Sequence, residues 1–321
     1  MTHQIRTDIP RTIARAVRQK CKFCCVVCGH WIYELDHIKE WAEVHEHTED
    51  NLICLCPNHH SKKTKNLISA AQAKRYLEKR ASESLPFTAS DTQLIEPDTV
   101  ALGTNVIDGF HANSGDVFRF GNSSYLSVKK YPGEAYRIDC RIIDNIGKPS
   151  LVIEENEMVI GTHMWDIEQK GCKLTFRYGP GDIFMEIELN ASKNYINLQG
   201  NFDIGLTNHI AINGRGIYLG KIVLLKFNHI HSCRDGLIIN QHPENHRCLA
   251  NNHGNYTSVV SSCTAMRCDV GIMNTINGFN NKFSECRTAI MYDIPTLNRL
   301  SKEHDHIVKV QAGMLPSELV R

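Results

Sequence analysis

Residues 25–60 read CVVCGHWIYELDHIKEWAEVHEHTEDNLICLCPNHH, and this stretch decides the fold of the first part of the chain. Two residues separate Cys25 from Cys28, and the same spacing recurs 27 residues later in Cys56 and His59. Tetrahedral Zn²⁺ favours thiolate and imidazole ligands presented in such pairs. The pattern therefore predicts a closed structural zinc site. A structural zinc contributes roughly 10–16 kcal/mol of apparent binding energy to a unit too small for a large core.

An earlier cysteine pair, Cys21 and Cys24, offers an alternative first half of this site. The glycine at position 29 favours the later pair, because a glycine is suited to the turn that must follow two ligands. The cysteines left over, Cys21, Cys24 and Cys54, are then expected to be small buried hydrophobic residues.

Four more residues carry a resemblance to a known family: Asp36, His37, Asn51 and His60. With the zinc-type pairs, they resemble the HNH endonucleases, the ββα-metal nucleases, over about residues 10–70. The resemblance implies that Asp36 and His60 hold one catalytic Mg²⁺ or Mn²⁺. It also implies that His37 is the general base, and that Asn51 braces the loop carrying this base. Histidine suits a base because its ordinary pKa, about 6.5, lies near operating pH.

The fourth zinc ligand departs from the commonest family pattern, because His59 stands where a cysteine is usual. His60 follows directly, so the two histidines could exchange roles, with His60 on zinc and His59 on the catalytic cation. The two-residue spacing from Cys56 favours His59 as the zinc ligand.

Positive charge is concentrated in the same part of the chain. The whole protein has a net charge of +1, whereas residues 1–84 carry fourteen Lys and Arg against ten Asp and Glu. Three lysines follow His60 and are expected to contact backbone phosphates at the mouth of the cleft. They are Lys62, Lys63 and Lys65. The expected partner is nucleic acid, double-stranded DNA according to the resemblance.

The remainder of the chain predicts short strands, so the fold class is α+β with several domains. We expect a zinc-bound ββα-metal domain at 1–84, a linker at 85–98, a β-rich domain at 99–200 and a β-rich repeat region at 201–321. In the last region a small residue precedes an aliphatic or aromatic patch at intervals of 17 to 20 residues, at Gly216, Gly236, Gly254, Gly271 and Ala289. This period predicts a β-solenoid; a β-sandwich with hairpins is the alternative.

The sequence thus predicts a metal-dependent endonuclease that hydrolyses phosphodiester bonds, with a β-rich part for targeting, regulation or assembly. That part could form a homo-oligomer or bind a regulatory protein, and the architecture suggests a defence effector by association. We expect a cytoplasmic protein, because the chain has no apolar leader and no run of about 18 apolar residues for a membrane. The alternative is a non-catalytic zinc-ribbon adaptor fused to a β-rich domain that binds a ligand or protein.

Overall fold

A computed structural model shows a front module, residues 8–84, followed by a β region that extends to residue 299. The structure describes residues 8–84, 87, 88, 99–109, 115–120, 123–130, 136–144, 146–202, 209–220, 222–231, 233 and 235–240, seven strands between 248 and 293, and residues 295, 297 and 299. Among these residues, none of the helices is long and apolar enough to span a bilayer.

The front module consists of four helices and a two-stranded antiparallel sheet. Its elements are α1 (Arg11–Lys20), β1 (Glu34–His37), α2 (Trp41–Val44), a 3-10 helix (Glu49–Asn51), β2 (Leu52–Leu55), α3 (Pro57–Thr64) and α4 (Ala70–Ser82). Helix α4 begins with a capping box, in which Ser69 Oγ accepts from the Gln72 amide at 3.2 Å and Gln72 Oε1 accepts from the Ser69 amide at 2.9 Å. Two orphan amides are satisfied in this way, which fixes where the helix starts.

The core of the front module is small and has few bulky side chains. Its buried members are Val17, Cys21, Cys25, Val26, Ile38, Leu52, Ile53, Cys54, Leu55, Cys56, Ile68, Ala73 and Leu77. Aromatic rings are absent from this buried set in the described part of the chain. Apolar burial within the module is therefore limited.

The front module packs against the β region through the end of α1 and the turn that follows it. Phe23 and Trp31 are buried with the side chains of the β region, although both belong to the front module in sequence. Lys22 and Phe23 adopt positive φ angles of 57° and 54°, an unfavourable conformation for such residues. This turn directs the Phe23 ring into the neighbouring core.

A buried ion pair adds to this interface. Arg18 donates from Nε and Nη2 to the two carboxylate oxygens of Asp166, at 3.0 and 2.8 Å, and their side chains are 11% and 6% exposed. We expect Arg18→Met to cost about 3 kcal/mol of unfolding free energy, because it leaves a buried carboxylate without its main partner. Urea unfolding of the full chain measures this cost.

Lys20→Met is the matched control for Arg18→Met, because Lys20 lies two residues further along α1 and pairs with Asp50, which is fully exposed. It is expected to leave the unfolding midpoint almost unchanged. Equal losses of unfolding free energy for the two substitutions would show that the Arg18–Asp166 pair stabilises the protein no more than an exposed ion pair does.

The first half of the β region is made mainly of antiparallel hairpins. The strands are β3 (Thr99–Leu102), β4 (Asn105–Asp108), β5 (Gly115–Phe120), β6 (Ser123–Lys130), β7 (Tyr136–Ile143), β8 (Pro149–Glu154), β9 (Glu157–Ile160), β10 (Asp166–Lys170), β11 (Lys173–Gly179), β12 (Asp182–Asn190), β13 (Tyr195–Phe202), β14 (Ile210–Asn213) and β15 (Gly216–Leu219). A second 3-10 helix spans Ala191–Lys193. Consecutive strands from β5 to β9 and from β10 to β15 pair antiparallel.

The second half of the β region pairs in parallel instead. Its strands are β16 (Ile222–Lys226), β17 (His229–His231), β18 (Asp235–Asn240), β19 (Cys248–Asn251), β20 (Val259–Ser261), β21 (Thr264–Met266), β22 (Val270–Met273), β23 (Ile276–Phe279), β24 (Lys282–Ser284) and β25 (Thr288–Asp293). Strands β16–β18, β23–β25 and β20–β22 form three successive coils, and each strand pairs with its counterpart in the next coil. We call residues 222–293 the coil stack.

Part of the predicted repeat coincides with this stack. Strands β18, β25 and β22 align so that Gly236, Ala289 and Gly271 share one level, and β22 pairs with β25 at an offset of eighteen residues. A Cβ at Gly236 would lie 2.7 Å from the Val117 carbonyl oxygen, which explains a small residue there. Gly216 does not belong to the stack, because it lies in the antiparallel pair β14–β15. Gly254 lies outside the described residues.

The order of the coils differs from the order in sequence. The last coil, β23–β25, lies between β16–β18 and β20–β22, so residues 276–293 are inserted next to residues 222–240. A simple repeat would place each coil on the one before it in sequence. The repeat interval in the sequence indicates the length of a coil, but it does not indicate which coil pairs with which.

The predicted boundaries at 85–98 and at 200 can be compared with the strand pairing. Within the linker, Phe87 forms a bridge with Gly161, and the Thr88 amide donates to the Ile160 carbonyl at 2.9 Å. Residue 200 lies inside β13. Each of the two large sheets of the β region contains strands that precede residue 200 and strands that follow it.

Candidate metal centre and catalytic cluster

Four predicted zinc ligands converge at one end of the front module. The ligand atoms of Cys25, Cys28, Cys56 and His59 all lie within 4.8 Å of one another. Cys28 Sγ is 3.8 Å from Cys56 Sγ, and His59 Nδ1 is 3.6 Å from Cys25 Sγ and 3.1 Å from Cys56 Sγ. Bonds of about 2.3 Å to sulfur and 2.0 Å to nitrogen give edges of about 3.5–3.8 Å in a tetrahedron. The cluster can therefore hold a metal ion such as zinc.

Local backbone geometry explains why these ligands meet. Gly29 has a φ of 79°, and its amide donates to the Cys25 carbonyl at 2.8 Å, which closes the turn after the first pair. The second pair lies at the start of α3, where Pro57 takes the first helical position and the His60 amide donates to the Cys56 carbonyl at 2.8 Å. Proline suits this position because its missing amide would have had no partner there.

The alternative pair Cys21 and Cys24 does not join this cluster. Cys21, Cys24 and Cys54 are each 0% exposed, and the Cys54 amide donates to Cys21 Sγ at 3.3 Å. Burial raises the pKa of the Cys24 thiol to about 12 and that of the Cys54 thiol well above its ordinary value. All three side chains are buried, which agrees with their predicted role as small hydrophobic residues.

The two adjacent histidines point to different partners. His59 faces the cysteines, and burial, reinforced by the charge of Lys62, lowers its pKa, which favours the neutral imidazole that a metal requires. His60 faces β1 instead, where its Nε2 lies 3.6 Å from Asp36 Oδ1 and its Nδ1 lies 3.3 Å from Glu34 Oε2. The geometry therefore favours His59 for the cysteine cluster and gives no support to the exchanged roles.

Asp36 and His60 form the core of a second cluster on one face of β1. Asp36 is 14% exposed, and its Oδ2 is buried without a hydrogen bond to any described residue, although Lys63 Nζ lies 3.2 Å away. This oxygen already has a cationic partner in Lys63, so a metal ion bound by Asp36 would share the carboxylate with that ammonium. The 3.6 Å between Oδ1 and the imidazole is near the edge of about 3.4 Å for tetrahedral ligands with bonds of about 2.1 Å, and it exceeds the edge of about 3.0 Å for octahedral ligands.

The structure corrects the predicted role of Lys63. Its side chain is only 5% exposed and its Nζ pairs with Asp36 at 3.2 Å and with Glu40 at 3.0 Å, so it does not stand at a cleft mouth as a phosphate contact. The helix positions give the reason: Lys63 follows His60 by three residues, so both lie on the face of α3 that packs on β1. Lys62 and Lys65 lie on the exposed side of the segment and stay candidates for phosphate contact.

His37 faces away from Asp36, as expected for neighbours in a strand. It is 2% exposed, and its Nε2 lies 3.2 Å from His47 Nδ1. Trp41 covers this pair, with the His47 ring stacked on the indole at 4.6 Å between centroids and the His37 ring edge-on at 5.6 Å. The contact between His47 and His37 depends on the path of the loop between β1 and β2, which no motif in the sequence specifies.

Asn51 braces the segment that follows His37. Its Oδ1 accepts from the Lys39 amide at 2.8 Å, its Nδ2 donates to the Lys39 carbonyl at 3.1 Å, and its backbone carbonyl accepts from the Ile38 amide at 2.8 Å. Both hydrogen-bonding groups of the side chain are thus satisfied by one peptide segment. The Asn51 side chain therefore holds the backbone two residues beyond His37.

A basic cleft runs between α1 and the strands β10–β12. Its volume is about 700 Å³, and its lining includes Arg11, Arg15, Lys170 and Lys173. Arg15 lies over the Trp165 ring at 4.4 Å. The cleft is lined by Leu35 rather than by Asp36, so it opens on the face of β1 opposite the Asp36 and His60 cluster.

Comparison with protein-family models, with curated proteins and with solved structures finds no match to this chain. The resemblance to HNH nucleases therefore rests on the motif residues alone.

Proposed function

We propose that the front module is a metal-dependent phosphodiesterase that cleaves nucleic acid, DNA in the first instance. The observation that carries the proposal is the approach of Asp36 Oδ1 and His60 Nε2 to 3.6 Å, from β1 and from the helix that begins at the cysteine cluster. A zinc ion in that cluster would fix the start of α3 and so the position of His60. Zinc would be structural, and the catalytic ion would be Mg²⁺ or Mn²⁺.

The residues on the two faces of β1 have separate tasks in this proposal. Asp36 and His60 would hold the divalent cation, which when bound neutralises charge that develops on the phosphate oxygens. His37 would accept the proton of the attacking water, with His47 orienting its ring as the third group orients a base in other hydrolytic sites. Asn51 holds the backbone beside His37, and Lys62 and Lys65 would contact backbone phosphates.

The β region would select the substrate, regulate the nuclease or assemble the protein. We infer that the coil stack is a short β-solenoid, which would give this region a rigid surface. The interface through Arg18 and Phe23 supports a coupling of the two parts, since the front module is not merely tethered.

Cleavage of supercoiled plasmid, linear duplex DNA and single-stranded RNA, each with Mg²⁺ or Mn²⁺, tests the proposed activity. We expect the parent to cut DNA. Asp36→Asn should reduce the cleavage rate by a factor of at least roughly 10², because the cation loses a charged ligand. Asp50→Asn is the matched control, since Asp50 is an exposed acid of the same module. If Asp36→Asn cuts at the parental rate, the site is assigned wrongly.

Two observations favour a second candidate function, that of a non-catalytic adaptor. His37 is almost fully buried, and Lys63 already supplies a positive charge to Asp36. Both fit a non-catalytic zinc module that serves as an adaptor for the β region. Absence of cleavage of every substrate with both metals, while the protein is folded and loaded with zinc, would favour this adaptor over the nuclease.

A further inference from the structure

We propose that Asp108, His229 and His231 form a second metal site, for a divalent transition-metal ion such as Zn²⁺, on the exposed face of the β4–β17 pair. His229 and His231 are two residues apart in β17 and therefore project from the same face of that strand. The structure supplies a third ligand from a strand 121 residues away from His229. This site is independent of the front module and of the function proposed for it.

The three side chains meet because of strand alternation and register. In the parallel pair β4–β17, His231 lies opposite Asp108 and His229 lies opposite Val106. Because side chains alternate along a strand, Asp108, His229 and His231 project from the same face of the pair. His229 Nε2 is 2.8 Å from Asp108 Oδ2, and His231 Nδ1 is 2.7 Å from Asp108 Oδ1. Their ligand atoms lie within 4.8 Å of one another.

A buried amide pair fixes this register at the start of the two strands. Asn228 Nδ2 donates to Asn105 Oδ1 at 2.8 Å, and the Asn228 amide donates to the same oxygen at 3.2 Å. Asn105 and Asn228 are 2% and 1% exposed, so a slip of one strand would leave these polar groups unsatisfied in the core. The ligand positions are thus set before any ion binds.

The donor set selects the class of ion. Two imidazoles with one carboxylate suit Zn²⁺, Ni²⁺ or Co²⁺, whereas Mg²⁺ and Ca²⁺ prefer oxygen ligands alone. The side chains of His229 and His231 are 46% and 53% exposed, which leaves room for water as a further ligand. Burial disfavours the charged form of Asp108, but hydrogen bonds from both histidines outweigh it and lower the pKa of this carboxyl.

A bound ion would join two parts of the β region that are far apart in sequence. Strand β4 belongs to the hairpin β3–β4, and β17 lies in the first coil of the coil stack. The ion would therefore act as a clamp between the antiparallel sheet and the stack. Binding to the folded state alone would raise the thermal midpoint of the protein.

Titration of the tag-free, full-length protein with Ni²⁺, followed by calorimetry, tests the site. Beyond any Ni²⁺ taken up by Asp36 and His60, we expect one equivalent to bind at this site without displacing the metal retained from purification, and to raise the melting temperature by several degrees. Asp108→Asn and His231→Gln should each weaken this binding at least about tenfold, because even indirect partners of a metal ligand affect affinity by 10- to 100-fold.

His163→Gln is the matched control for these variants. His163 Nε2 lies 2.7 Å from Asp144 Oδ2, which gives a histidine–carboxylate pair with a single imidazole. We expect His163→Gln to bind Ni²⁺ like the parent. Failure of the parent to take up the additional equivalent, or parental Ni²⁺ affinity in Asp108→Asn, would overturn the proposal.

Discussion

Replacing Cys56 by serine is expected to strip the metal from the front module and to unfold it. Cys56 Sγ lies 3.1 Å from His59 Nδ1 and 3.8 Å from Cys28 Sγ, at the centre of the cluster. A structural zinc contributes roughly 10–16 kcal/mol of apparent binding energy, which exceeds the whole stability of most small domains. The measurements are zinc content by mass spectrometry of the native protein and hydrogen exchange along the chain.

The change in hydrogen exchange should be confined largely to one part of the protein. We expect loss of protection over residues 8–84, with little change in β6–β9, which do not contact the front module through the Arg18 interface. Cys24→Ala is the matched control, because Cys24 is equally buried and lies one position from a ligand. If Cys24→Ala loses as much zinc as Cys56→Ser, the ligand set must include the earlier cysteine pair.

Substitution of His37 by glutamine is expected to reduce DNA cleavage on the order of 10²–10⁴-fold, the usual contribution of a general base. Glutamine is preferred to alanine because His37 is buried, and an amide keeps a polar group opposite His47. The measurement is a single-turnover rate with Mn²⁺ in excess, so that product release does not mask the chemical step.

Two readouts separate this loss from a mere loss of structure. Zinc content and melting temperature of His37→Gln should stay close to those of the parent, and His45→Ala, altered in the exposed loop that touches Trp41, should cut normally. A large fall in the melting temperature of His37→Gln together with unchanged specific cleavage would assign His37 a packing role. In that case the base would have to be sought elsewhere.

Local patterns in the sequence were sufficient for part of this structure. The spacing of Cys25, Cys28, Cys56 and His59 identifies the ligand cluster, because both halves depend on turns of a few residues. Helix α1 spans Arg11–Lys20, where apolar residues recur at helical spacing, so its extent is a local property of the sequence. The turn between β11 and β12 contains Gly179, Pro180 and Gly181, residue types that favour turns.

Contacts between distant segments were beyond such patterns. His47 reaches His37 through the loop between β1 and β2, whose path no periodicity specifies. Asp108 meets His231 only because β4 and β17 pair in a particular register. Lys63 is a different case: its three-residue spacing from His60 places it on the buried face of α3, so helical geometry alone could have identified it.

The inserted coil, residues 276–293, has a consequence for how the protein is made. During synthesis, β16–β18 leave the ribosome some fifty residues before their partners β23–β25. The coil stack therefore cannot be completed from the N-terminal side as each coil emerges, unlike a simple repeat array. Until residue 293 is available, one edge of each of β16, β17 and β18 presents unpaired backbone groups. Other nascent chains on the same messenger RNA can pair with these edges. This situation favours exchange of coils between copies of the protein.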